Sequence, residues 1–513
     1  MLKRRFFTVF ILVILLLFLL SSCDLALSRS PKSTPTVDLT AQAASHPAPT
    51  GTPTPFTTST PAPLPTSPIN LQPADLSGLQ LSFWHNWSGD SLGVLHGLVD
   101  EFNQSNEWGI NIQTSYQGNL DELYASAESA FHAGSPPDLL VATLPQAIAW
   151  DQTYGLVNID AYVNDPVWGM PADEQADFQP VFWQQDLYQG KRLGLPAQRY
   201  ASLLYYNQSW ARQLGFEAPP TTPEGFRQQA CAAAQTKRQD EILTNDASGG
   251  WIVSTRHPAI LGWIYAFDGE IVQPPDKQTA RDAYNFATDE VRAAFSFLRD
   301  LYDRGCAWLA ENDPPEAEFA SREGLFATGS LSALPYQAYA FETQGSDDSW
   351  AVLPFPSPDG KSAMTVYGPS FVVPESAPER QLAAWLFLRW LLQPENEARL
   401  AAATSSFPLR ASTLDHMQEY AREHPQWAAA VELLPLARPE PALPSWELVR
   451  WAVGDAATQL FRDYFTIERV PDMARLLDQT ADDLNVSPLE DRFLKGGNML
   501  EVTPSPTTAT PTP

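Results

Sequence analysis

The chain has 513 residues, of which 44% are hydrophobic and 11% aromatic, so it can bury the cores of two or three domains. Its formal net charge of −28 argues against nucleic acid as a partner, because phosphate backbones are bound through clustered Lys and Arg. The sequence contains no H-E-x-x-H, P-loop or G-x-G-x-x-G motif, so we expect no metal and no other cofactor.

The N-terminus has the pattern of an export signal. Basic residues at 3–5 precede an unbroken apolar run over 6–20, and L-S-S-C then ends at Cys23. This order predicts a signal peptide over 1–22, and the small pair before the cysteine resembles the bacterial lipobox. The alternative is a transmembrane anchor, but the apolar run is short for a bilayer span. We expect a diacylated Cys23 that holds the protein on the outer face of the cytoplasmic membrane.

Proline and threonine dominate residues 28–75, and no hydrophobic period runs through them. Such a segment cannot bury enough surface to become ordered, so we expect 23–77 to be an extended, disordered tether. The C-terminal residues 501–513 have a similar composition and are predicted to form a disordered tail. The folded part should therefore span about 78–500, held away from the membrane surface.

The folded part begins with alternating strand and helix patterns. Apolar residues alternate with polar ones over 79–83 and predict a strand, and apolar residues from Leu92 to Phe102 recur at helical spacing. A strand over 110–116, a helix that Asn119 can cap and a strand over 139–142 follow. This β-α-β-α-β order predicts an α/β fold with a parallel sheet and right-handed crossovers. Further strands are predicted over 202–206, 350–353 and 369–373, and long helices over 291–304 and 378–392.

Two cysteines remain after Cys23. Cys231 lies in the helix-like stretch F-R-Q-Q-A-C-A-A-A, and Cys306 ends the stretch F-L-R-D-L-Y-D-R-G-C. In an oxidising envelope the two can form a disulfide, and two buried free thiols are the alternative.

The stretch W-S-G-D-S-L-G, which ends at Gly93, overlaps two serine-hydrolase signatures and makes Ser91 a candidate nucleophile. The partners of a G-D-S-L esterase are missing, because none of the 7 histidines has an aspartate three residues before it. The same letters also suit the start of a helix, where Asp90 is favoured by the helix dipole. We therefore expect no enzyme and keep a secreted serine esterase acting through Ser91 as the alternative class.

Several longer stretches resemble the family 1 extracellular solute-binding proteins, which serve ABC importers of the carbohydrate-uptake type. The opening F-W-H-N-W-S-G-D-S-L-G-V-L-H-G-L-V-D-E-F-N-Q-S-N is followed by L-L-Y-Y-N-Q-S-W-A-R-Q-L-G-F, Y-G-P-S-F-V-V-P and A-W-L-F-L-R-W-L-L-Q-P-E-N-E-A-R-L-A. Their order and spacing extend the resemblance from about 79 to 465. It implies a type II periplasmic-binding-protein-like fold in which ligand binds in a cleft between two α/β lobes.

The resemblance also suggests lobe boundaries and partners. We place one lobe at 78–196 plus 333–371 and the other at 197–332 plus 372–500. The partners implied are a carbohydrate ligand and the permease subunits of an ABC importer, and we expect a monomer. A receptor that signals without transport is a third possibility.

Three apolar residues bear on the class of ligand that the resemblance implies. Glycerol-3-phosphate-binding members of the family carry polar side chains where this chain has Leu120, Leu144 and Phe407, which favours a sugar or oligosaccharide. A glycerol phosphate or phosphodiester is the alternative ligand within the family.

Sugar faces stack on aromatic rings while a few polar groups bind the hydroxyls, so aromatic residues near strand ends are candidate ligand contacts. For each aromatic residue taken singly, a place in the ordinary core is the alternative, and Arg199 suits either an anionic ligand or a tie between the lobes. The candidates are Trp84, His85, Tyr116, Arg199, Tyr200, Trp251, Trp263, Tyr336, Gln337, Tyr367, Gly368 and Phe407.

Overall fold

The computed structural model describes residues 66–274, 283–310 and 314–486. The predicted signal peptide, Cys23, most of the tether and the tail at 501–513 lie outside the described residues. Within those residues, no helix is both long and apolar enough to cross a lipid bilayer.

The described chain alternates strands and helices as the sequence pattern predicts. The strands are β1 Gln80–His85, β2 Asn111–Tyr116, β3 Leu139–Ala142, β4 Leu187–Tyr188, β5 Lys191–Arg192, β6 Leu195–Pro196, β7 Tyr200–Asn207, β8 Gly249–Ile252, β9 Val272–Gln273, β10 Ala283–Tyr284, β11 Ala307–Trp308, β12 Gly324–Ser330, β13 Trp350–Leu353, β14 Met364–Tyr367, β15 Ser370–Val372 and β16 Ala437–Pro439. The helices are Gly89–Ser105, Leu120–His132, Leu144–Thr153, Asp160–Val163, Ala172–Ala176, Pro180–Gln185, Gln208–Gln213, Pro223–Gln239, His257–Ala266, Asp289–Asp303, Glu316–Ala320, Leu334–Thr343, Pro378–Leu391, Pro394–Thr404, Gln418–Glu423, Pro425–Glu432, Trp446–Leu460 and Val470–Val486.

Two larger sheets form the centres of the two lobes. The first has the order β2-β1-β3-β15-β6, and the second has the order β11-β8-β12-β7-β14-β16 with β13 also paired to β7. In the first sheet β1 lies parallel to both β2 and β3, which confirms the predicted β-α-β-α-β unit. The α/β fold class and the two-lobe arrangement are therefore as expected.

The first lobe forms for the local reasons read from the sequence. The alternation in β1 buries Leu81 and Phe83, while the following helix buries its apolar face, which includes Leu95 and Phe102. The side chain of Asn119 accepts hydrogen bonds from the next helix's first-turn amides, and Glu122 bonds back to the Asn119 amide at 2.8 Å. This capping box fixes where the helix Leu120–His132 begins.

The predicted lobe boundaries are wrong after residue 333. We expected β13 and β14 in the first lobe, but both pair antiparallel with β7 of the second sheet. Conversely, the helix Pro378–Leu391 was assigned to the second lobe but packs on the first sheet, where the rings of Phe387 and Phe83 are 6.0 Å apart. The chain returns to the first sheet between β14 and β15, and strand pairing over this distance in sequence leaves no local pattern.

The predicted tether is also too long at its C-terminal end. Residues 66–77 are ordered against the first lobe: Ser67 Oγ donates to Asp165 Oδ2 at 2.6 Å, and Leu76 is fully buried in the short helix Pro73–Leu76. The composition of this stretch suggested disorder, but its few apolar side chains find a packed surface. At the other end, the last described helix finishes at Val486, and 487–500 lie outside the described residues.

Cys231 and Cys306 form a disulfide, with 4.6 Å between their Cα atoms. The bond links the helix Pro223–Gln239 to the residue just before β11, at the edge of the second sheet. Of the two alternatives that the sequence left open, the structure has the paired one.

Candidate ligand-binding site

A cavity of about 850 Å³ lies between the two sheets and is lined by residues of both lobes. Its size is within the range of small-molecule sites. The first lobe contributes Leu120, Thr143 and Leu144 to the wall, and the second contributes most of the remainder. Gly368 also lines the cavity, at the crossing between lobes, which is the point between β14 and β15 where the chain passes from the second sheet to the first. The second-lobe wall includes Ser202, Tyr205, Ser254, Thr255, Arg256, His257, Glu316, Thr328, Gly329, Ser330, Gln337, Tyr367, Glu440, Trp446, Arg450, Trp451, Gly454, Asp455 and Thr458.

Several helices begin at the cavity wall. Because the first amides of a helix have no intrahelical partner, and the helix dipole is positive there, such ends favour polar oxygen atoms of a ligand. The helices whose first residues line the cavity are Leu120–His132, Leu144–Thr153, His257–Ala266, Glu316–Ala320 and Trp446–Leu460.

The helix Trp446–Leu460 presents a continuous face to the cavity. Arg450, Trp451, Gly454 and Asp455 share one side of this helix, while the opposite side, which includes Val449 and Val453, is buried in the second-lobe core. The Trp451 side chain is 62% exposed, so a large aromatic ring is available to a ligand. Trp446 is almost fully buried, and its ring lies 6.0 Å from that of His257.

Two of the cationic side chains on the wall have acidic partners. Arg450 forms an ion pair with Glu447 one turn earlier in the same helix. His257 Nε2 lies 2.8 Å from Glu440 Oε1. Burial raises the pKa of the neighbouring Glu447 to about 7, against the opposing effect of Arg450. The wall therefore presents no strong excess of positive charge.

Hydrogen bonds hold the part of the wall nearest the crossing between lobes. Tyr205 donates from its hydroxyl to the Ser330 carbonyl at 2.6 Å, and the Ser330 and Tyr367 hydroxyl oxygens are 2.9 Å apart. Gln337 Nε2 donates to the Glu316 carbonyl at 2.9 Å. Burial raises the pKa of Tyr367, so this hydroxyl remains a neutral hydrogen-bonding group.

The structure brings three of the predicted contact residues to the cavity: Gln337, Tyr367 and Gly368. Leu120 and Leu144, two of the positions from which we predicted a sugar rather than a glycerol phosphate, also lie on the wall. Gly368 has φ +145°, and a Cβ there would come within 2.2 Å of the Gln198 carbonyl oxygen, so the crossing needs glycine at this point.

Trp251, Trp263 and Phe407, which we predicted as ligand contacts, are fully buried and do not line the cavity. Trp251 Nε1 donates to Thr328 Oγ1 at 2.9 Å, and its ring lies 5.4 Å from that of Trp263. Phe407 packs in the first-lobe core. An aromatic residue in an apolar segment looks the same in sequence whether its ring faces the core or a cavity, and here the core alternative holds.

His85 and Arg199 are likewise buried outside the wall. His85 packs between the rings of Phe83 and Trp87, and burial lowers its pKa to about 4. The Arg199 guanidinium donates to Asp186 Oδ2 at 2.9 Å and to the Pro369 carbonyl at 2.6 Å. Arg199 therefore ties the segment that crosses between the lobes to the first lobe.

The other predicted contacts lie near the site but not on its wall. Trp84 and Tyr200 are half-buried on β1 and β7, and Tyr200 lies 6.3 Å from the Tyr367 ring. Tyr116 and Tyr336 are exposed side chains outside the lining. Trp84, Tyr116 and Tyr200 lie on strands and Tyr336 lies in the helix Leu334–Thr343, and none of these elements turns the ring into the cavity lining.

The sequence reasoning missed the helix Trp446–Leu460, which carries the largest exposed aromatic surface in the lining. A signal was present: W-E-L-V-R-W places two tryptophans beside charged residues, and an aromatic residue on the polar side of a helix is unusual in a buried core.

Ser91 lies in the first turn of the helix Gly89–Ser105, and its hydroxyl donates to the Ser88 carbonyl at 2.8 Å. It does not line the cavity. This placement matches the interpretation of the hydrolase-like letters as the start of a helix.

Similar folds occur among sugar-binding proteins. The cyclic alpha-maltosyl-1,6-maltose binding protein from Arthrobacter globiformis has a TM-score of 0.65 at 18% identity, covering 80% of this chain and 100% of that protein. MalE from Xanthomonas citri has a TM-score of 0.65 at 20% identity, covering 81% and 99%. UgpB from Mycobacterium tuberculosis in complex with glycerophosphocholine has a TM-score of 0.61 at 17% identity, covering 80% and 99%. At these identities the likeness concerns the fold.

Sequence comparison points to the same group of proteins. The sn-glycerol-3-phosphate-binding periplasmic protein UgpB of Pectobacterium atrosepticum is 24% identical over 362 residues, which is 66% of this chain and 75% of that protein. The family model for bacterial extracellular solute-binding proteins matches residues 97–434, more than half of the chain. The chain therefore belongs to the family of bacterial extracellular solute-binding proteins.

Proposed function

We propose that this protein captures an uncharged carbohydrate, a sugar or an oligosaccharide, in the cavity between its lobes and delivers it to an ABC importer. The observation that carries the proposal is the Trp451 side chain, 62% exposed on the wall of a cavity of about 850 Å³. A flat ring of this kind suits the apolar face of a sugar, while hydroxyls and helix amides around it suit the sugar's polar edge.

The charges of the wall favour an uncharged ligand. A phosphate is normally bound by guanidinium or ammonium groups that are free to pair with it. Here the wall carries two guanidinium groups, those of Arg256 and Arg450, and Arg450 already pairs with Glu447. Against them stand three wall carboxylates, those of Glu316, Glu440 and Asp455. A phosphoryl group would have to compete with these carboxylates, whereas neutral hydroxyls can donate to them.

A glycerol phosphate or glycerophosphodiester is the second candidate ligand. It is favoured by the sequence relatives named as sn-glycerol-3-phosphate-binding proteins and by the fold likeness to UgpB in complex with glycerophosphocholine. Against it stand Leu120 and Leu144, which place apolar side chains on the wall where those relatives are expected to have polar ones.

The test is thermal unfolding of the full chain against mono- and oligosaccharides, polyols, sn-glycerol 3-phosphate and glycerophosphocholine. A ligand that binds only the folded state stabilises it by roughly 2.7 kcal/mol at a hundredfold excess over Kd. We expect stabilisation by one class of sugar. Stabilisation by the phosphate compounds alone would instead establish the second candidate.

A hydrolase acting through Ser91 belongs to a different class of function, and one variant separates it. Ser91→Ala removes the hydroxyl but not the helix, so ligand binding should equal that of the native chain, and esterase activity should be at background in both. A native chain that hydrolyses p-nitrophenyl esters and a Ser91→Ala chain that does not would establish the enzyme.

A further inference from the structure

Two polar contacts join the lobes beside the cavity, and both involve the helix Trp446–Leu460. Thr143 Oγ1 of the first lobe donates to Glu447 Oε2 of the second at 3.3 Å. Asp121 Oδ1 of the first lobe lies 3.6 Å from Arg450 Nη2 of the second. Thr143 and Asp121 belong to the starts of two separate first-lobe helices, so the second-lobe helix is held at two points.

Arg450 is shared between carboxylates on the two sides. It forms an ion pair with Glu447 in its own helix as well as the contact with Asp121 across the cavity. When Glu447 is ionised, it takes most of the attraction of the guanidinium. A proton on Glu447 removes that competition, so that Arg450 can pair with Asp121 of the opposite lobe.

The position of Glu447 makes such a proton accessible near neutral pH. Glu447 is 8% exposed in the joined lobes, and burial raises its pKa to about 7. Arg450 and the hydrogen bond from Thr143 oppose this rise, while Asp121 and Glu440 reinforce it. Tyr124 of the first lobe faces it from the helix that begins at Leu120. Separation of the lobes would return this carboxyl to water and its pKa toward the ordinary value.

We propose that Glu447 and Arg450, held by Thr143 and Asp121 of the opposite lobe, form a clasp that closes the cavity with uptake of one proton on the Glu447 carboxylate. The proposal rests on the proposed function only in that the cavity is taken as the ligand site. The contacts of the clasp involve only side chains of the protein, so they can be tested without a ligand.

The sign of the pH dependence follows from linkage. The joined lobes bind the proton more tightly than separated ones, so closure is favoured below the raised pKa and weakens as the pH rises through it. The pKa of Glu447 is about 7 in the joined lobes and should have the ordinary carboxyl value in separated lobes. The ratio of closed to open chains should therefore fall about tenfold between pH 6 and pH 8. His257 and Glu440 also pair near the cavity, but both belong to the second lobe, so their contact does not join the two lobes.

The test measures the lobe separation directly, without a ligand. Nitroxide labels on Gln104→Cys in the first lobe and Arg475→Cys in the second, in a full chain carrying Cys23→Ser, report the distance by pulsed electron paramagnetic resonance. Both labelled positions are exposed. The shorter distance between the labels represents the closed chain. In the chain with the native clasp, we expect the fraction of molecules at this distance to fall from pH 6 to pH 8. In Glu447→Gln, we expect this fraction to stay the same. Asp121→Asn should lower the short-distance population already at pH 6.

Glu419→Gln is the matched control, since Glu419 is an exposed glutamate that pairs only locally with Arg422. It should respond to pH as the native chain does. A native distance distribution that is the same at pH 6 and pH 8, or a Glu447→Gln chain that still responds, would overturn the clasp. Because no sugar takes part, this outcome is separate from a failure of the ligand panel, which would count against the proposed function alone.

Discussion

Among single residues, Trp451 is expected to contribute most to ligand affinity. Aromatic contacts add about 0.5–1.5 kcal/mol beyond the surface they bury, and tenfold in Kd corresponds to about 1.4 kcal/mol. Trp451→Ala should therefore weaken the binding of the sugar found in the panel about tenfold or more, measured by isothermal titration calorimetry. Since the side chain is exposed, the thermal midpoint of the ligand-free chain should change little.

The control for this prediction is Tyr464→Ala, which removes another exposed aromatic ring from the second lobe, outside the cavity lining. It should bind the sugar as the native chain does. Equal affinities for Trp451→Ala and the native chain would remove Trp451 from the site. Trp451→Phe should retain part of the affinity, because a smaller flat ring remains.

The buried ion pair of Arg199 with Asp186 is expected to stabilise the fold. Its guanidinium is fully buried with Asp186, and removing one partner of a buried ion pair typically costs about 3–5 kcal/mol because the other charge remains unpaired. Arg199→Met should lower the free energy of unfolding by about that amount in urea titration. The double variant Arg199→Met/Asp186→Leu should recover part of the loss. A single variant as stable as the native chain would contradict the tie that we describe.

At the scale of elements, the disulfide is expected to stabilise the second lobe without acting on the cavity. It joins residues 75 apart in sequence, and the loss of a cross-link over such a span costs about 4 kcal/mol in the chain-entropy description. Cys231→Ser/Cys306→Ser should unfold at lower temperature and still bind sugar with near-native affinity at 20 °C. A loss of affinity in the folded variant would mean that this sheet edge communicates with the cavity.

The elements also show how far sequence carries the prediction. Strands β1 to β3 and their helices follow from alternating and helical patterns that are local, and so does the cap at Asn119. The pairing of β13 and β14 with β7 is not local, and the predicted boundary failed there. Likewise, no pattern distinguishes Trp251 in the core from Trp451 on the wall, except that Trp451 lies among charged residues.

For the whole molecule, residues far apart in sequence must come together between the two lobes. The family resemblance predicted the two-lobe fold, and the fold and the family are both confirmed. Which residues meet between the lobes depended on the angle at which the two sheets face each other, and the sequence contains no local record of that angle. This is why only part of the predicted contact set lies on the wall.

The predicted lipid anchor at Cys23 can be tested on the whole protein in cells. We expect cells given an alkyne-tagged fatty acid to label the native chain and to leave Cys23→Ala unlabelled, because a diacylated cysteine requires the thiol. The variant should also leave the membrane fraction. Equal membrane retention of both chains would instead favour the uncleaved transmembrane segment that the sequence left as the alternative.

The helix Trp446–Leu460 has a consequence for engineering. It supplies a large share of the cavity wall from one short, contiguous stretch that comes after both sheets are complete in the chain. Its inner face, which includes Val449, Val453 and Leu460, anchors it in the second lobe independently of the outward residues. The side chains that face the cavity can therefore be varied in a library while the residues that anchor the helix are kept. Such a library could change the ligand that the protein binds or produce a reagentless sugar sensor.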